Sequence, residues 1–128
     1  MSASAGADPV RHGRAIAAAE AAAEKQATDV IVLDVGDIIG ITEAFVLASA
    51  GNRRLVKAIV DEIEEQVRVL HGVGPRSVEG LDDLRWVLMD YGDFVVHVFD
   101  TEVREFYALE RLWGDAPTIW REAEAPAR

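Results

Sequence analysis

Apolar positions recur along this chain at two periods, and the places where the period changes divide it into helix, two strands, helix, three strands, helix and tail. The alanine-rich "GRAIAAAEAAAEKQ", 13–26, has strong helix propensity but few large side chains to anchor it. "DVIVLDV", 29–35, and "AFVLASA", 44–50, are nearly continuous apolar runs, the pattern of strands covered on both faces. Asn52 can cap the helix that follows, whose stripe Leu55, Val56, Ile59, Val60, Ile63, Val67 and Leu70 repeats at helical spacing. Its other face carries Asp61 and Glu65 as like charges and Glu64 with Arg68 as an opposite pair. "GVGP", 72–75, stops it.

Beyond that stop, "RSVEG" predicts a short strand, and "RWVLMDY" with "DFVVHVFD" predicts two strands joined by a tight turn at Tyr91-Gly92-Asp93. The alternation puts Trp86, Leu88 and Asp90 on one face and Val87, Met89 and Tyr91 on the other. A last helix runs from about Thr101 to Trp113, with Val103, Phe106, Tyr107 and Glu110 on one side and the aromatic pair expected against the sheet. The fold class is α/β, one domain with a mixed sheet of about five strands flanked by helices. Residues 1–12 are expected as a flexible N-terminal segment, 13–117 as the domain, and 118–128 as a flexible tail.

Composition narrows the chemistry. A chain of 128 residues buries about two thirds of its unfolded surface and folds without staples. It has no cysteine, hence neither disulfide nor thiolate metal site. The formal charge of -10, from 23 acidic and 13 basic side chains, repels a phosphate backbone, so DNA is not an expected partner. The same field favours encounter with a basic protein. No basic-then-apolar leader opens the chain, and no apolar run approaches the roughly 20 residues that span a bilayer. The expectation is a soluble, cytoplasmic protein with no membrane partner.

The motifs that suggest catalysis have simpler readings. "GVGP" ends a helix, where the dipole is negative, and is a turn instead of a phosphate loop. "SAGNRR", 49–54, leads into a helix N-terminus beside two arginines, but no glycine fingerprint or Walker lysine follows, and a cap by Asn52 accounts for it. A nucleotide- or metal-dependent transferase would draw its carboxylates from "LDVGD", 33–37, and "DYGD", 90–93, chiefly Asp34, Asp90 and Asp93. Asp90 and Asp93 straddle a turn, however, where aspartate is common for local hydrogen bonding. His97 stands alone in its strand, so neither a metal site nor a cofactor is expected, and Ser49 lacks the glycine-flanked elbow of hydrolases. What these readings leave unexplained is the C-terminal third, which holds eight of the nine aromatic residues.

The run "VEGLDDLRWVLMDYGDFVVHVFDTEVREFYALERLWGDAP", 78–117, resembles the signature of the ribosomal silencing factor family, also called Iojap-like proteins. The pattern falls on Glu79-Gly80, Trp86, Asp90 to Asp93, Val96 to Phe99 and Arg104 to Trp113, and it extends upstream through "LDV" and "FVLASAGNRR". One departure is Glu43-Ala44 before Phe45, where the family commonly has Asp-Tyr. The resemblance implies a nucleotidyltransferase-like fold without catalytic apparatus. It further implies binding to the large ribosomal subunit through ribosomal protein L-fourteen, steric blockage of joining to the small subunit, and repression of translation when nutrients are short. Organellar relatives act in assembly of the large subunit. A homodimer is a candidate state of the free protein.

Binding is expected on the face and rim of the 85–97 hairpin. Trp86, Asp90 and Tyr91 lead, since large amphipathic rings and a carboxylate suit a basic partner, with His97 and Glu79 at the margin. The competing expectation is that Trp86 and Tyr91 are core.

Overall fold

A computed structural model describes residues 9–107 and 114–122, apart from the side chains of residues 9–11, 38, 39, 106 and 107. In chain order the elements are α1 (Pro9–Glu24), β1 (Thr28–Asp34), α2 (Gly36–Ile39), β2 (Ala44–Ala50), α3 (Arg53–His71), β3 (Ser77–Glu79), β4 (Trp86–Asp90), β5 (Phe94–Asp100), α4 (Thr101–Tyr107) and β6 (Thr118–Arg121). The strands form one sheet in the order β3-β4-β5-β2-β1-β6. Among the described strands only β2 and β5 run parallel, joined by a crossover that contains α3; the other described pairings are antiparallel.

The central strands are buried on both faces, and this is why their sequences do not alternate. On one face Val30, Val32, Val46, Ala48, Met89, Phe94, Val96 and Val98 meet the buried stripes of α1 and α3. In α3 that stripe is Val56, Ile59, Val60, Ile63 and Val67. Asn52 caps it by accepting a hydrogen bond from the Leu55 N–H at 2.8 Å. Gly72 ends it in the left-handed conformation, donating to the Arg68 carbonyl at 2.8 Å. Leu70 departs from the expected stripe: it is 61% exposed, in the last turn of the helix and one turn beyond Val67, the last buried residue of the stripe. Arg68 pairs with Glu65 at 2.9 Å, not Glu64, and Lys57 neutralises Asp61 at 2.9 Å, which relieves the like-charge pair.

The alanines of α1 are its anchor. Ala15, Ala18, Ala19, Ala21 and Ala22 are buried in the main core. Their lack of bulk lets the helix backbone lie close to its neighbours α3, β1 and β2.

Differences from the sequence expectation collect at the two ends. The first helix begins at Pro9, inside the 1–12 stretch expected to be flexible. Thr118–Arg121, expected within the tail, pairs with β1 as a sixth strand and buries Ile119. Residues 108–113 and the side chains of Phe106 and Tyr107, expected to complete a helix with its aromatic pair on the sheet, lie outside the described residues, as do 1–8 and 123–128.

Candidate functional site

The second face of the sheet is covered unevenly. Directly opposed residues share a face, so the pairings place Glu79 beside Leu88, Leu88 beside His97 and His97 beside Leu47, with Trp86 beside Phe99 and Asp90 beside Val95. Near β1, this face is closed by Val103 of α4 and by Ala116, over Ile31, Leu33, Phe45, Leu47 and Phe99. Arg104 fastens α4 there, donating from Nη1 to the Asp29 carbonyl and to Ser49 Oγ, each at 2.7 Å. The accepting carbonyl belongs to an irregularity in β1, where Asp29 has φ of 52°. Toward β4 and β3 the face opens, and Trp86, Leu88, Asp90 and Val95 are half-buried.

An open depression of about 230 Å³ sits on this side, lined by Ile41, Phe45, Arg76, Leu88, Asp90 and Val95, among others. Ile41 is 86% exposed at its edge. The loop that presents Ile41 is tied to the hairpin turn, since Thr42 Oγ1 donates to the Gly92 carbonyl at 3.0 Å and the Glu43 N–H to the Asp93 carbonyl at 2.9 Å. A half-apolar, open surface of this kind, with Arg76 and Asp90 as the charged groups of its lining, suits docking of a macromolecule better than enclosure of a small ligand.

The expected site residues divide between the two faces. Trp86, Asp90, His97 and Glu79 belong to the open face. Trp86 packs on Phe99 with ring centroids 5.1 Å apart and donates from Nε1 to His97 Nδ1 at 3.1 Å. His97 is only 5% exposed and lies beneath this surface, with the Phe45 ring centroid 4.7 Å away and the two planes inclined at 66°. Burial lowers its pKa from 6.5 to about 4, so the ring is neutral at ordinary pH. Asp90 accepts from the Gly92 N–H at 2.8 Å, which closes the hairpin turn and leaves a second oxygen for another donor. Glu79 is exposed on the edge strand.

Tyr91 points the other way. It is 8% exposed, stacks on Phe94 at 4.6 Å and 7°, and joins the helix-side core. Its hydroxyl has no hydrogen-bond partner among the described residues. Burial, helped by the negative charge of Glu64, raises its pKa to about 12. The expectation that Tyr91 leads binding beside Trp86 and Asp90 does not match this placement: period-two alternation sets it with Val87 and Met89, away from Trp86.

Sequence reasoning missed Ile41, Phe45 and Arg76 as neighbours of the hairpin. The parallel pairing of β2 with β5 brings Phe45 against Val95, and no local signal announces so distant a contact. Of the two positions where the family pattern departs, Ala44 is buried on the helix side, while Glu43 is exposed in the loop tied to the hairpin turn.

Each carboxylate of the transferase reading has a partner. Asp34 accepts from the Gly36 N–H at 3.1 Å, Asp90 from Gly92, and Asp93 faces Arg14 at 3.9 Å. Among the described residues no group of three or more His, Cys, Asp or Glu is placed to hold a metal ion, and no helix is long and apolar enough to cross a membrane.

Comparison with known proteins places this arrangement. The family model for "Ribosomal silencing factor during starvation" matches residues 9–128. The ribosomal silencing factor RsfS of Bacillus subtilis is 42% identical over 100 residues, which cover 78% of this chain and 84% of that protein. The chloroplastic protein Iojap of Zea mays is 35% identical over 108 residues, covering 82% of this chain and 45% of its own longer one. Among solved structures, a Chromobacterium violaceum protein superposes with a TM-score of 0.76 at 29% identity, over 91% of this chain and 89% of its own. One from Bacillus halodurans gives 0.70 at 32% identity, over 88% and 99%. With its order of strands, its Trp86-to-Asp93 hairpin and a match from the first helix through the last strand, the chain belongs to the ribosomal silencing factor family.

Proposed function

We propose that this protein is a ribosome-binding repressor of translation. It docks on the large ribosomal subunit through ribosomal protein L-fourteen, blocks association with the small subunit by occupying the joining face, and acts under nutrient limitation. The single observation that carries this reading is the family match over residues 9–128. The open sheet face supplies a surface suited to it: Trp86 and Ile41 provide apolar area, and Asp90 and Glu79 provide the charge that a basic ribosomal protein would meet. The net charge of -10 would add long-range steering toward such a partner.

In this reading the protein is not an enzyme and needs no cofactor. That Asp34 and Asp90 close backbone turns while Asp93 faces Arg14 supports that part over nucleotidyl transfer. It works in the cytoplasm, where ribosomes are. A homodimer of the free protein belongs to the same proposal, because a second copy would cover the half-apolar face when no ribosome does.

The test is sedimentation of the full chain with purified large subunits through a sucrose gradient. Cosedimentation is expected, with an association rate that falls as salt screens the opposite charges. Protein found only in the unbound fraction at low salt overturns the proposal.

A further inference from the structure

His97 is an expensive way to fill its position. A buried polar group that lacks a partner costs stability, and Nε2 of His97 has none among the described residues. A phenylalanine ring would meet the same neighbours, the inclined ring of Phe45 and the stacked ring of Phe99, without a polar atom to bury. What the imidazole adds is one acceptor, Nδ1, and that acceptor takes the Trp86 indole N–H at 3.1 Å.

The tautomer follows from the chemistry of the pair. An indole N–H can only donate, so Nδ1 must be bare and the neutral ring must carry its proton on Nε2. The side-chain polar chemistry of His97 among the described residues is therefore spent on a half-buried ring at the edge of the open face. Trp86 has two χ angles to fix. Packing on Phe99 restrains the ring plane, and the hydrogen bond selects which edge of the indole turns inward and which is presented outward.

From this geometry we infer that His97 is a positioning residue: it does not touch the docking partner but locks the indole of Trp86 in the orientation that the partner meets. The inference rests on the open sheet face being the docking surface. It assigns His97 a different role from contact at the margin of the interface. Burial keeps the ring neutral, its pKa lowered to about 4, so Nδ1 remains an acceptor under the conditions in which ribosomes work. Pre-setting a large ring in its bound rotamer reduces the ordering cost of association.

The experiment is a double-mutant cycle on large-subunit binding by the full chain, using His97→Phe and Trp86→Phe, with Trp86→Ala as reference and thermal melting for each variant. A merely structural residue would weaken folding and binding together. A positioning residue predicts that His97→Phe melts at or above the parent yet binds roughly fivefold more weakly, the worth of one net hydrogen bond. It further predicts no added loss from His97→Phe in the Trp86→Phe background.

If Trp86→Ala binds as tightly as the parent, the docking face itself is misassigned and the inference falls with it. If Trp86→Ala is weak while His97→Phe binds like the parent, the docking face stands and the positioning role alone is refuted. Should His97→Phe fail to fold, nitrogen–nitrogen coupling across the Trp86 Nε1 to His97 Nδ1 bond decides, measured in the unmodified protein by nuclear magnetic resonance. Its presence supports the lock, and a protonated Nδ1 overturns it.

Discussion

Acidification should destabilise this protein through one buried side chain, and the size of the effect can be worked out. In the folded chain burial lowers the His97 pKa to about 4, against 6.5 for an ordinary histidine. Between these values the unfolded state binds a proton that the folded state refuses, so unfolding becomes easier as pH falls. The contribution is fully present above pH 6.5 and is lost progressively toward pH 4. At about 1.4 kcal/mol per pH unit, the whole gap amounts to about 3 kcal/mol, of which about 2 kcal/mol is already lost at a pH of about 5. That figure matters against a total stability of roughly 5–15 kcal/mol.

Urea unfolding of the parent and of His97→Phe, each at pH 7.5 and pH 5, isolates the term. His12, His71 and the carboxylates are common to both proteins and cancel in the difference. The parent should lose about 2 kcal/mol more than the variant on going to the lower pH. Equal losses would mean that the His97 ring takes up its proton in the folded state, and the buried, neutral imidazole described above would be wrong.

Other perturbations probe the remaining framework. Tyr91→Ala should cost about 3 kcal/mol or more because the ring is core, whereas Tyr91→Phe should melt at or above the parent because it deletes a buried hydroxyl without a partner; a large loss from Tyr91→Phe would reveal a hidden hydrogen bond. Gly80 has φ of 93°, and a Cβ there would collide with the Trp86 carbonyl oxygen. Gly80→Ala should therefore cost more than about 1 kcal/mol and, by shifting the start of β4, weaken large-subunit binding as well; unchanged melting and binding would refute the tight approach. Ala18→Leu, at a fully buried position of α1, should cost about 1–3 kcal/mol by overpacking, and a neutral result in thermal melts would mean that α1 does not lie close against its neighbours.

Local signals in the sequence identified what local physics determines. The α3 stripe and the Asn52 cap were legible because period and capping chemistry act within a few residues. The hairpin at Tyr91-Gly92-Asp93 was legible for the same reason, and its alternation separates Trp86 from Tyr91.

What stayed hidden depends on distant partners. β6 has four residues, follows Pro117 and buries only Ile119, so its identity as a strand comes from the β1 edge that it covers. The anchoring role of α1 is hidden because an alanine run reads as helix propensity, whereas here alanine is the small residue of a close contact. The depression beside Asp90 joins residues from the loop before β2, from β5 and from Arg76, and only the non-local sheet order assembles them.

The most direct test of the central claim is joining of purified small and large subunits, followed by light scattering, with the full chain added in excess. The parent protein should suppress formation of the joined ribosome. Trp86→Ala and Asp90→Ala, each shown to be folded, should largely restore joining in step with their loss of large-subunit binding, by about thirtyfold for Trp86→Ala. Undiminished joining in the presence of large subunits saturated with the parent protein would contradict it.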